Sequence, residues 1–484
     1  MIQDWLESIF KTIPMKKIQL HWQILIALIL AIVYGIIFPT SYCLTEKSFK
    51  DPEINKLPVI YFESLKKLEG QSYKTQKEFL KTIRSYVPED VLKDYQEKIL
   101  SAAYYNKPVS YVSWMGDLFL RALKMIIIPL IFSSLAAGVA SIGSSGNLGR
   151  LGLKTLSYYV ITSLIAILTG LLFVNIFKPG VGADLNLSQQ VEGLIENQRS
   201  FKDTLLYMVP DNIFNAMNNS DMLAVIFFSI LFGFFITRVQ KSYQDALTKA
   251  LNAIFQVMMK ITMFVIIFAP FGVFGIVAKV VSDQDDLINL MSKMGLFMGT
   301  VLLGLFIQSM ITLPLIVHFI GKSRPYRHMK NLSTALFTAF STASSSATLP
   351  LTMTGCEKNS GVSNKICSFV LPLGATINMN GTALYECVAA IFIAQAYGVD
   401  MTFVQQLIIV LTALLASIGA AGIPMAGLVM MTVVLNAVGL PLEGIGLILA
   451  VDRILDMFRT VVNVWGDSCG AVVIAKSEGE KLLV

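Results

Sequence analysis

The sequence predicts an all-α protein that crosses a membrane several times. Hydrophobic residues make up 55% of the 484 residues, charged residues only 14%, and the mean hydropathy is +0.65. Soluble domains carry about 25% charged residues, so this composition excludes an ordinary soluble protein. Long apolar runs follow one another along the chain, and the last of them carries a line of charged side chains.

Six apolar runs in the first two thirds of the chain are long enough for transmembrane helices, since about 20 residues cross the hydrocarbon core. We expect these spans at 18–38, 113–142, 152–177, 206–237, 249–281 and 287–320. Residues 1–17 are polar and amphipathic, which does not fit a cleavable signal peptide. The five cysteines show no paired spacing, so neither a metal site nor a disulfide framework is expected.

Basic residues cluster on one side of the membrane if the six spans alternate in direction. The clusters precede the first span, join the second to the third, and follow the fourth and the sixth. Their members are Lys11, Lys16, Lys17, Arg150, Lys154, Arg238, Lys241, Lys322, Arg324, Arg327 and Lys330. The positive-inside rule makes this side, and the N-terminus, cytoplasmic. Topology therefore explains the net charge of +6 without a nucleic-acid partner.

The segment 39–108 then lies outside the membrane, between the first two spans. It mixes Lys, Glu and Asp, and it shows weak helical periodicity over 76–100. A solvated insertion and a dedicated binding module are both open interpretations of this segment.

Short apolar arms replace long spans from residue 331 onward. A hydroxyl-rich run at 341–350 separates two such arms, and a glycine-rich run at 417–427 separates the arms 403–415 and 428–438. Arms this short do not cross a bilayer of about 30 Å, so each pair predicts a re-entrant helical hairpin facing protein or a water-filled cavity.

A longer helix follows each hairpin. The first is expected at 363–396, with a break at 378–382, and the second at 441–475. Because the pattern of hairpin and helix occurs twice, the sequence indicates an internal repeat, and such repeats in transporters meet at a site near the membrane midplane.

Five polar residues share one face of the last helix and are named here the polar stripe. They are Asp452, Asp456, Arg459, Asn463 and Asp467, spaced four, three, four and four residues apart. On an α-helix this spacing places them within an arc of about 80°. Ionisable groups inside a membrane cost about 2.5–3.5 kcal/mol each, so the stripe predicts a ligand or ion site.

The residue types of the polar stripe suggest what it binds. A buried Arg459 suits a carboxylate, and Asp456 one turn earlier suits an ammonium group. Hydroxyls and helix N-termini at the hairpin tips suit a second carboxylate. Asp467, Asn463 and Asn378 offer hard oxygen ligands for a small monovalent cation. An Asp456–Arg459 ion pair that only holds helices together is the structural alternative.

Several segments resemble the dicarboxylate/amino acid:cation symporter family, the glutamate and aspartate transporters. They are SSSATLP (344–350), LPLGATINMNGTALYE (371–386), ASIGAAGIPMAG (416–427), DRILDMFRTVVNVWGD (452–467), RALKMIIIPLIF (121–132) and YYVITS (158–163). The resemblance covers nearly the whole chain except 39–108. It implies a transporter and not an enzyme, with no cofactor beyond a coupling ion.

The resemblance also implies an architecture. Eight transmembrane helices and two re-entrant hairpins would form inverted repeats, in a lipid-embedded homotrimer whose protomers each work by an elevator mechanism. The scaffold would comprise spans one and two (18–142, with the insertion 39–108) and spans four and five (206–281). The transport domain would comprise span three (152–177), span six (287–320) and residues 331–484, which hold hairpin 1, span seven, hairpin 2 and span eight. A bacterial plasma membrane is the expected location.

The resemblance further implies how an amino acid would bind. Its side-chain carboxylate would contact Arg459, its ammonium Asp456, and its α-carboxylate Asn463 and the tip around Ser345. The implied substrate-binding residues are Ser344, Ser345, Thr382, Ile423, Gly427, Asp456, Arg459, Thr460 and Asn463. The family's accessory arginine positions are Ala343 and Met457 here, so that arginine is absent unless Arg453 substitutes.

Up to three sodium sites and a proton carrier are implied in the same way. The first sodium site would use Gly374, Asn378, Asn463 and Asp467, and the second would use the backbone of Thr376, Ser417, Ile418 and Ala420. The third would use Tyr159, Thr162, Ser163, Asn378 and Asn380. Asn380 replaces the family's carboxylate, which weakens or removes this site because the amide carries no charge. Glu386 matches a glutamate that carries a proton in the animal-type branch.

The chain keeps two positions that separate subfamilies. Carriers of neutral amino acids lack the arginine at 459, and carriers of C4-dicarboxylates lack the aspartate at 456. The expected function is therefore uptake of L-glutamate or L-aspartate, driven by Na⁺ with H⁺ as a further coupling ion. A proton-driven or C4-dicarboxylate symporter and a substrate-gated anion channel are the alternatives.

An intramembrane serine hydrolase is a further alternative from another class of protein. It would use the serines 344–346 as nucleophiles, but a serine needs an adjacent base. The histidines His21, His318 and His328 lie at predicted span ends, which argues against this alternative.

Overall fold

A computed structural model of the chain describes residues 20–51, 54–142, 146–183, 206, 208–219, 221–284, 286–419 and 426–484. The described residues are mostly helical. They form two compact units, one of Met1–Arg121 with Phe264–Leu287 and the other of Ala122–Met263 with Ile288–Val484.

The helices and strands are numbered in chain order over the described residues. The helices are α1 (Leu20–Ile37), α2 (Val59–Lys66), α3 (Gln76–Ile83), α4 (Glu89–Ala103), α5 (Lys107–Ile142), α6 (Gly146–Phe177), α7 (Ile213–Asn218), α8 (Met222–Ile236), α9 (Lys241–Ile267), α10 (Ala269–Ser282), α11 (Leu287–Ile307), α12 (Leu313–Phe319), α13 (Pro325–Asn331), α14 (Ser333–Thr342), α15 (Ser345–Thr354), α16 (Asn364–Ile377), α17 (Asn380–Ala396), α18 (Phe403–Gly419), α19 (Ala426–Ala437) and α20 (Ile445–Ser477). The strands are β1 (Ser41–Cys43), β2 (Ser72–Tyr73) and β3 (Tyr104–Tyr105).

Within the described residues, five helical stretches are long and apolar enough to cross a membrane. They are Lys107–Ala140, Arg150–Phe177, Lys241–Ile267, Leu287–Phe319 and Asn364–Ala396. Shorter apolar helices include α1, α8, α10, α18 and α19. The expectation of a multi-pass helical membrane protein is confirmed.

The expected span at 249–281 is two helices rather than one. The helix α9 ends at Ile267 and α10 begins at Ala269, with Phe268 between them. Pro270 lies in the first turn of α10, where its missing N–H does no harm. In a continuous helix the proline ring would clash with the carbonyl of Ile266, which favours a break between α9 and α10.

The expected span at 206–237 is also divided. In the described residues its apolar part is α8, and the short helix α7 precedes it. The Asn212 side chain caps α7 by accepting hydrogen bonds from the backbone N–H groups of Phe214 and Asn215. This cap explains why a separate helix begins at that position.

The insertion 39–108 folds around a hydrophobic core of its own. Leu44, Leu65 and Phe79 are fully buried in that core, together with residues from α4. The three strands form an antiparallel sheet in the order β2-β1-β3. The strands correct the all-α prediction, and they were missed because two or three residues are too few to show an alternating pattern.

A polar cluster joins the insertion to the end of α10, and we name it the Asp283 network (Thr40, Tyr104, Asn106 and Asp283). The Asp283 carboxylate accepts hydrogen bonds from the Thr40 hydroxyl at 2.6 Å and from the Tyr104 hydroxyl at 2.9 Å. The Asn106 amide donates to the Thr40 hydroxyl at 2.9 Å. Burial raises the pKa of the Asp283 carboxyl, while these two hydrogen bonds and the nearby Lys279 lower it.

The helix α17 lies at the centre of the second unit. Nearly all its residues are buried, and it packs against α6, α18, α19 and α20. Gly170 of α6 permits this close approach, because a Cβ there would lie 3.1 Å from the Leu384 side chain. The break between α16 and α17 falls at Asn378 and Met379, within the predicted interval.

Two pairs of short helices flank these long ones. The helices α14 and α15 have 10 residues each, about 15 Å in length, and they contact each other. They meet at Ala343, which has a left-handed backbone with φ of 49°, and the Ser344 hydroxyl caps α15. The helices α18 and α19 also contact each other, but residues 420–425 between them lie outside the described residues.

Candidate functional site

The five residues of the polar stripe are all buried along α20. Their exposed fractions are 6% or less, and Arg459 is completely buried. Charged side chains are almost never this buried without partners or function. The hydrogen-bond partners of these side chains therefore show whether the charges are compensated within the protein or left available for a ligand.

Among the described residues, hydrogen-bond partners are found for one of the three side-chain nitrogens of Arg459. Its Nη2 donates to Asp452 at 3.0 Å and to Asp456 at 2.9 Å, and its guanidinium carbon lies 3.8 Å from the centre of the Tyr385 ring. Nε, Nη1 and the Oδ2 of Asp452 have no hydrogen-bond partner among the residues that the structure describes. Donors of this kind suit a carboxylate ligand.

Both carboxylates paired with Arg459 belong to α20 itself. These ion pairs stay within α20, and Arg459 also contacts a second helix, α17, through the Tyr385 ring. The second arginine of this region, Arg453, lies with its Nη1 3.5 Å from Oδ2 of Asp456.

The two helix pairs approach α20 near Arg459. The helices α14 and α15 both contact α20, and the Phe340 ring lies 5.1 Å from the ring of Phe458. At the start of α19, a Cβ on Gly427 would lie 2.6 Å from Nη1 of Arg459, so the helix backbone packs directly against the guanidinium and a larger residue there would shift it. Ser344 and Ser345 are buried at the tip of the first pair.

Asn463 connects α20 to the break before α17. Its Oδ1 accepts from the Gly381 N–H at 2.8 Å, and its Nδ2 donates to the Thr382 hydroxyl at 3.1 Å. The structure thus brings Thr382 and Asn463 into direct contact. The Thr460 hydroxyl donates to the carbonyl of Asp456 at 2.8 Å within its own helix.

Asp467 is a buried carboxylate with a neutral partner. The Asn378 amide donates to its Oδ1 at 2.8 Å, and no basic side chain pairs with it in the described parts of the chain. Gly374 lies beside it, because a Cβ there would be 2.5 Å from the same oxygen and 2.7 Å from the Tyr159 hydroxyl. A buried negative charge of this kind is stabilised by a bound cation or by a proton.

The residues predicted for a third cation site also lie together. The Oδ1 of Asn380 accepts from the Ser163 hydroxyl at 2.7 Å and lies 3.5 Å from the Thr162 hydroxyl. The Tyr159 hydroxyl donates to the Val370 carbonyl at 2.7 Å. The amide oxygen of Asn380 is therefore already bonded to neutral hydroxyls.

The residues predicted for the second cation site are only partly described. Thr376 lies in α16 and Ser417 and Ile418 lie in α18, and these two helices contact each other. The hydroxyls of Thr376 and Ser417 donate to carbonyls of their own helices. Ala420, and Ile423 of the predicted substrate site, lie outside the described residues.

Glu386 lies on α17 and is fully buried. Neither of its carboxyl oxygens has a hydrogen-bond partner in the described part of the chain. Two further residues were not singled out from the sequence, Tyr385 and Gln308. Tyr385 stacks on Arg459, and Gln308 donates to the Thr162 carbonyl at 3.2 Å. The available signal for Gln308 was a long polar side chain within the apolar run expected at 287–320.

A bundle of apolar helices that surrounds buried and partly unpartnered charges defines a polytopic membrane protein with an internal polar site. Comparison with known protein families identifies the class more closely. Residues 20–477 match the model of the sodium:dicarboxylate symporter family, and the chain belongs to this family. It is accordingly a membrane transporter and not an enzyme.

Curated relatives from distant organisms are similar over most of the chain. The proton/sodium-glutamate symport protein of Geobacillus stearothermophilus is 38% identical over 79% of this chain and 92% of that relative. The proton/glutamate-aspartate symporter of Bacillus subtilis is 38% identical over 75% of this chain and 88% of the relative. Human excitatory amino acid transporter 3 is 37% identical over 77% and 80% respectively.

Proposed function

We propose that the chain is a cation-coupled symporter of acidic amino acids, L-glutamate or L-aspartate. The observation that carries the proposal is the buried Arg459, which is held by Asp452 and Asp456 and keeps two nitrogens without partners among the described residues. The names of the relatives, glutamate and glutamate-aspartate symporters, support the same substrate class.

In this proposal the charges of the amino acid meet complementary charges of α20. Arg459 binds the side-chain carboxylate and Asp456 binds the ammonium group. The α-carboxylate contacts Asn463 and the tip at Ser344 and Ser345. The substrate pocket is completed by Thr382, Thr460, Ile423 and Gly427. The approach of α14, α15 and α19 to Arg459 supports a site enclosed by both hairpins.

The coupling ions bind beside the amino acid. A sodium ion at Asp467, with Asn378, Asn463 and the carbonyl of Gly374, compensates a buried carboxylate that has only a neutral partner. A second sodium ion binds backbone oxygens of Thr376, Ser417, Ile418 and Ala420. Glu386 carries a proton, because its carboxyl group has no hydrogen-bond partner among the described residues and a charged carboxylate in an apolar helix bundle is costly.

The remaining family properties complete the proposal. The two helix pairs are re-entrant hairpins, the first supported by helices of about 15 Å that do not cross a bilayer. Eight spans with inverted repeats form a scaffold and a transport domain that moves as an elevator, in a homotrimer in a bacterial plasma membrane with a cytoplasmic N-terminus. The positively charged segments support this orientation.

Uptake into proteoliposomes tests the proposal. Labelled L-aspartate, L-glutamate, succinate and L-serine are offered under separately imposed Na⁺ and H⁺ gradients. We expect concentrative uptake of the two acidic amino acids that requires Na⁺ and is enhanced by H⁺. Uptake with H⁺ alone would indicate a proton-driven carrier, preference for succinate a C4-dicarboxylate carrier, and current without accumulation an anion channel.

A further inference from the structure

Asp456 lies between two guanidinium groups. Its Oδ1 accepts from Nη2 of Arg459 at 2.9 Å, and its Oδ2 lies 3.5 Å from Nη1 of Arg453. The sequence motif explains the arrangement, since Arg453 is one helical turn before Asp456 and Arg459 is one turn after it. The carboxylate that would bind an ammonium group therefore already faces two positive charges.

The two guanidinium groups differ in how firmly they are held. Arg459 is fully buried, donates also to Asp452 and stacks on Tyr385. The Arg453 side chain is 21% exposed, and its distance of 3.5 Å to Asp456 exceeds the 2.7–2.9 Å of a strong charged hydrogen bond. A ligand ammonium that approaches Asp456 would therefore displace Arg453 and leave Arg459 in place.

We propose that Arg453 is a specificity-determining residue that partners Asp456 when the bound ligand carries no ammonium group. An acidic amino acid brings its own cation and displaces Arg453 from Oδ2 of Asp456. A C4-dicarboxylate such as succinate brings none, and Arg453 then keeps the carboxylate neutralised. Arg453 thereby admits amine-free dicarboxylates as secondary ligands of the amino-acid site, an inference that rests on the proposed function.

The charge balance gives the direction of the effect. Asp452, Arg453, Asp456 and Arg459 together carry no net charge, and removal of Arg453 leaves a net charge of −1 beside the ligand. Succinate carries two negative charges and the acidic amino acid a net single one. Loss of Arg453 must therefore weaken succinate binding more than aspartate binding, because buried like charges repel strongly.

Competition binding measures this difference on the purified full-length protein in detergent with saturating Na⁺. Labelled L-aspartate is displaced by unlabelled L-aspartate or by succinate, and the readout is the ratio of the two inhibition constants. We expect Arg453→Gln and Arg453→Met to raise the ratio of succinate to aspartate at least about tenfold, roughly one strong charge interaction. Arg453→Lys, which keeps the charge, should change it little.

A matched control is Arg150→Gln, because Arg150 is exposed and pairs with Glu478. This variant should keep the ratio of the wild type. An unchanged ratio in both neutral variants would overturn the proposal, as would an equal shift in Arg453→Lys. It would also be overturned if the wild type bound aspartate but not succinate, or if both neutral variants, eluting normally on gel filtration, lost aspartate binding. Failure of the wild type to bind aspartate would count against the proposed function instead.

Discussion

Two acidic groups of this protein, the partly buried Asp283 and the buried Asp452, differ in their hydrogen-bonding environment. In the insertion unit, Asp283 accepts hydrogen bonds from Thr40 and Tyr104 at the end of α10. On α20, Asp452 has one oxygen paired with Arg459 and one without a partner among the described residues. Two nitrogens of Arg459, Nε and Nη1, also have no hydrogen-bond partner among these residues.

The difference separates a structural polar cluster from a functional one. A buried polar group left without its hydrogen bond costs about 1–3 kcal/mol, so folded proteins keep few of them. The Asp283 network avoids this cost and joins the insertion to α10. In the polar stripe, buried atoms of Asp452 and Arg459 lack hydrogen-bond partners among the described residues. A bound ligand that supplies those partners would offset this free-energy cost.

The largest expected effect is at Arg459. Arg459→Cys should abolish uptake of aspartate, because truncating one partner of a buried charge pair between protein and ligand costs about 2–5 kcal/mol, at least about thirtyfold in affinity. Uptake of labelled aspartate and serine into proteoliposomes measures the loss and any gain of neutral substrate. Arg150→Cys is the control at an exposed ion pair. Normal aspartate uptake in Arg459→Cys would contradict the proposal that Arg459 of the polar stripe binds the substrate.

The next effect concerns the buried carboxyl of α17. Glu386→Gln keeps the shape of the side chain but cannot exchange a proton, so transport should lose most of its dependence on pH. Initial rates of aspartate uptake at a series of external pH values, with the Na⁺ gradient held constant, provide the test. Asn175→Gln, at a hydrogen bond to Gln406 away from Glu386, is the control. The same pH profile in Glu386→Gln and the wild type would argue against proton carriage.

A moderate gain is expected at the third cation site. Asn380→Asp adds a charge beside the hydroxyls of Thr162 and Ser163 and should increase the apparent Na⁺ affinity about tenfold, the net of attraction and desolvation. The Na⁺ dependence of aspartate binding and the reversal potential of transport report it. Asn175→Asp is the matched substitution outside this site. Identical reversal potentials in variant and wild type would reject a restored third sodium ion.

The smallest effect on transport is expected at the Asp283 network. Asp283→Ala removes the acceptor of the Thr40 and Tyr104 hydroxyls and should destabilise the protein by about 1–3 kcal/mol, with normal aspartate uptake. Asp283→Asn keeps an acceptor and should cost less. Thermal unfolding measures both variants. Lost uptake in well-folded Asp283→Ala would contradict the structural role of the network.

The same carboxyl gives a pH dependence with a definite sign. Burial raises the pKa of Asp283 in the folded protein, so the neutral form is favoured there relative to the unfolded chain, where the pKa is about 3.9. Its contribution to stability is therefore fully present below the unfolded value and is lost as pH rises through the folded pKa. Asp283→Asn should remove this part of the pH dependence of the unfolding temperature.

Much of the fold follows from local patterns. Apolar runs of sufficient length predicted the multi-pass helical protein, and the short arms beside 341–350 predicted the pair α14 and α15. Misplaced boundaries have local causes as well, since Pro270 divides the expected span at 249–281. The sheet of the insertion could not be predicted, because its strands depend on partners about 30 and about 60 residues away.

The sequence by itself determined that the polar stripe lies on one face, because helical periodicity is a local property of the chain. Its motifs also determined the family, which the match over residues 20–477 confirms. Only the tertiary structure decided that Asn463 accepts a hydrogen bond from the Gly381 N–H and that Thr40 donates one to Asp283. Contacts between residues 80 to 240 positions apart depend on how helices pack, and periodicity along the chain does not specify that packing.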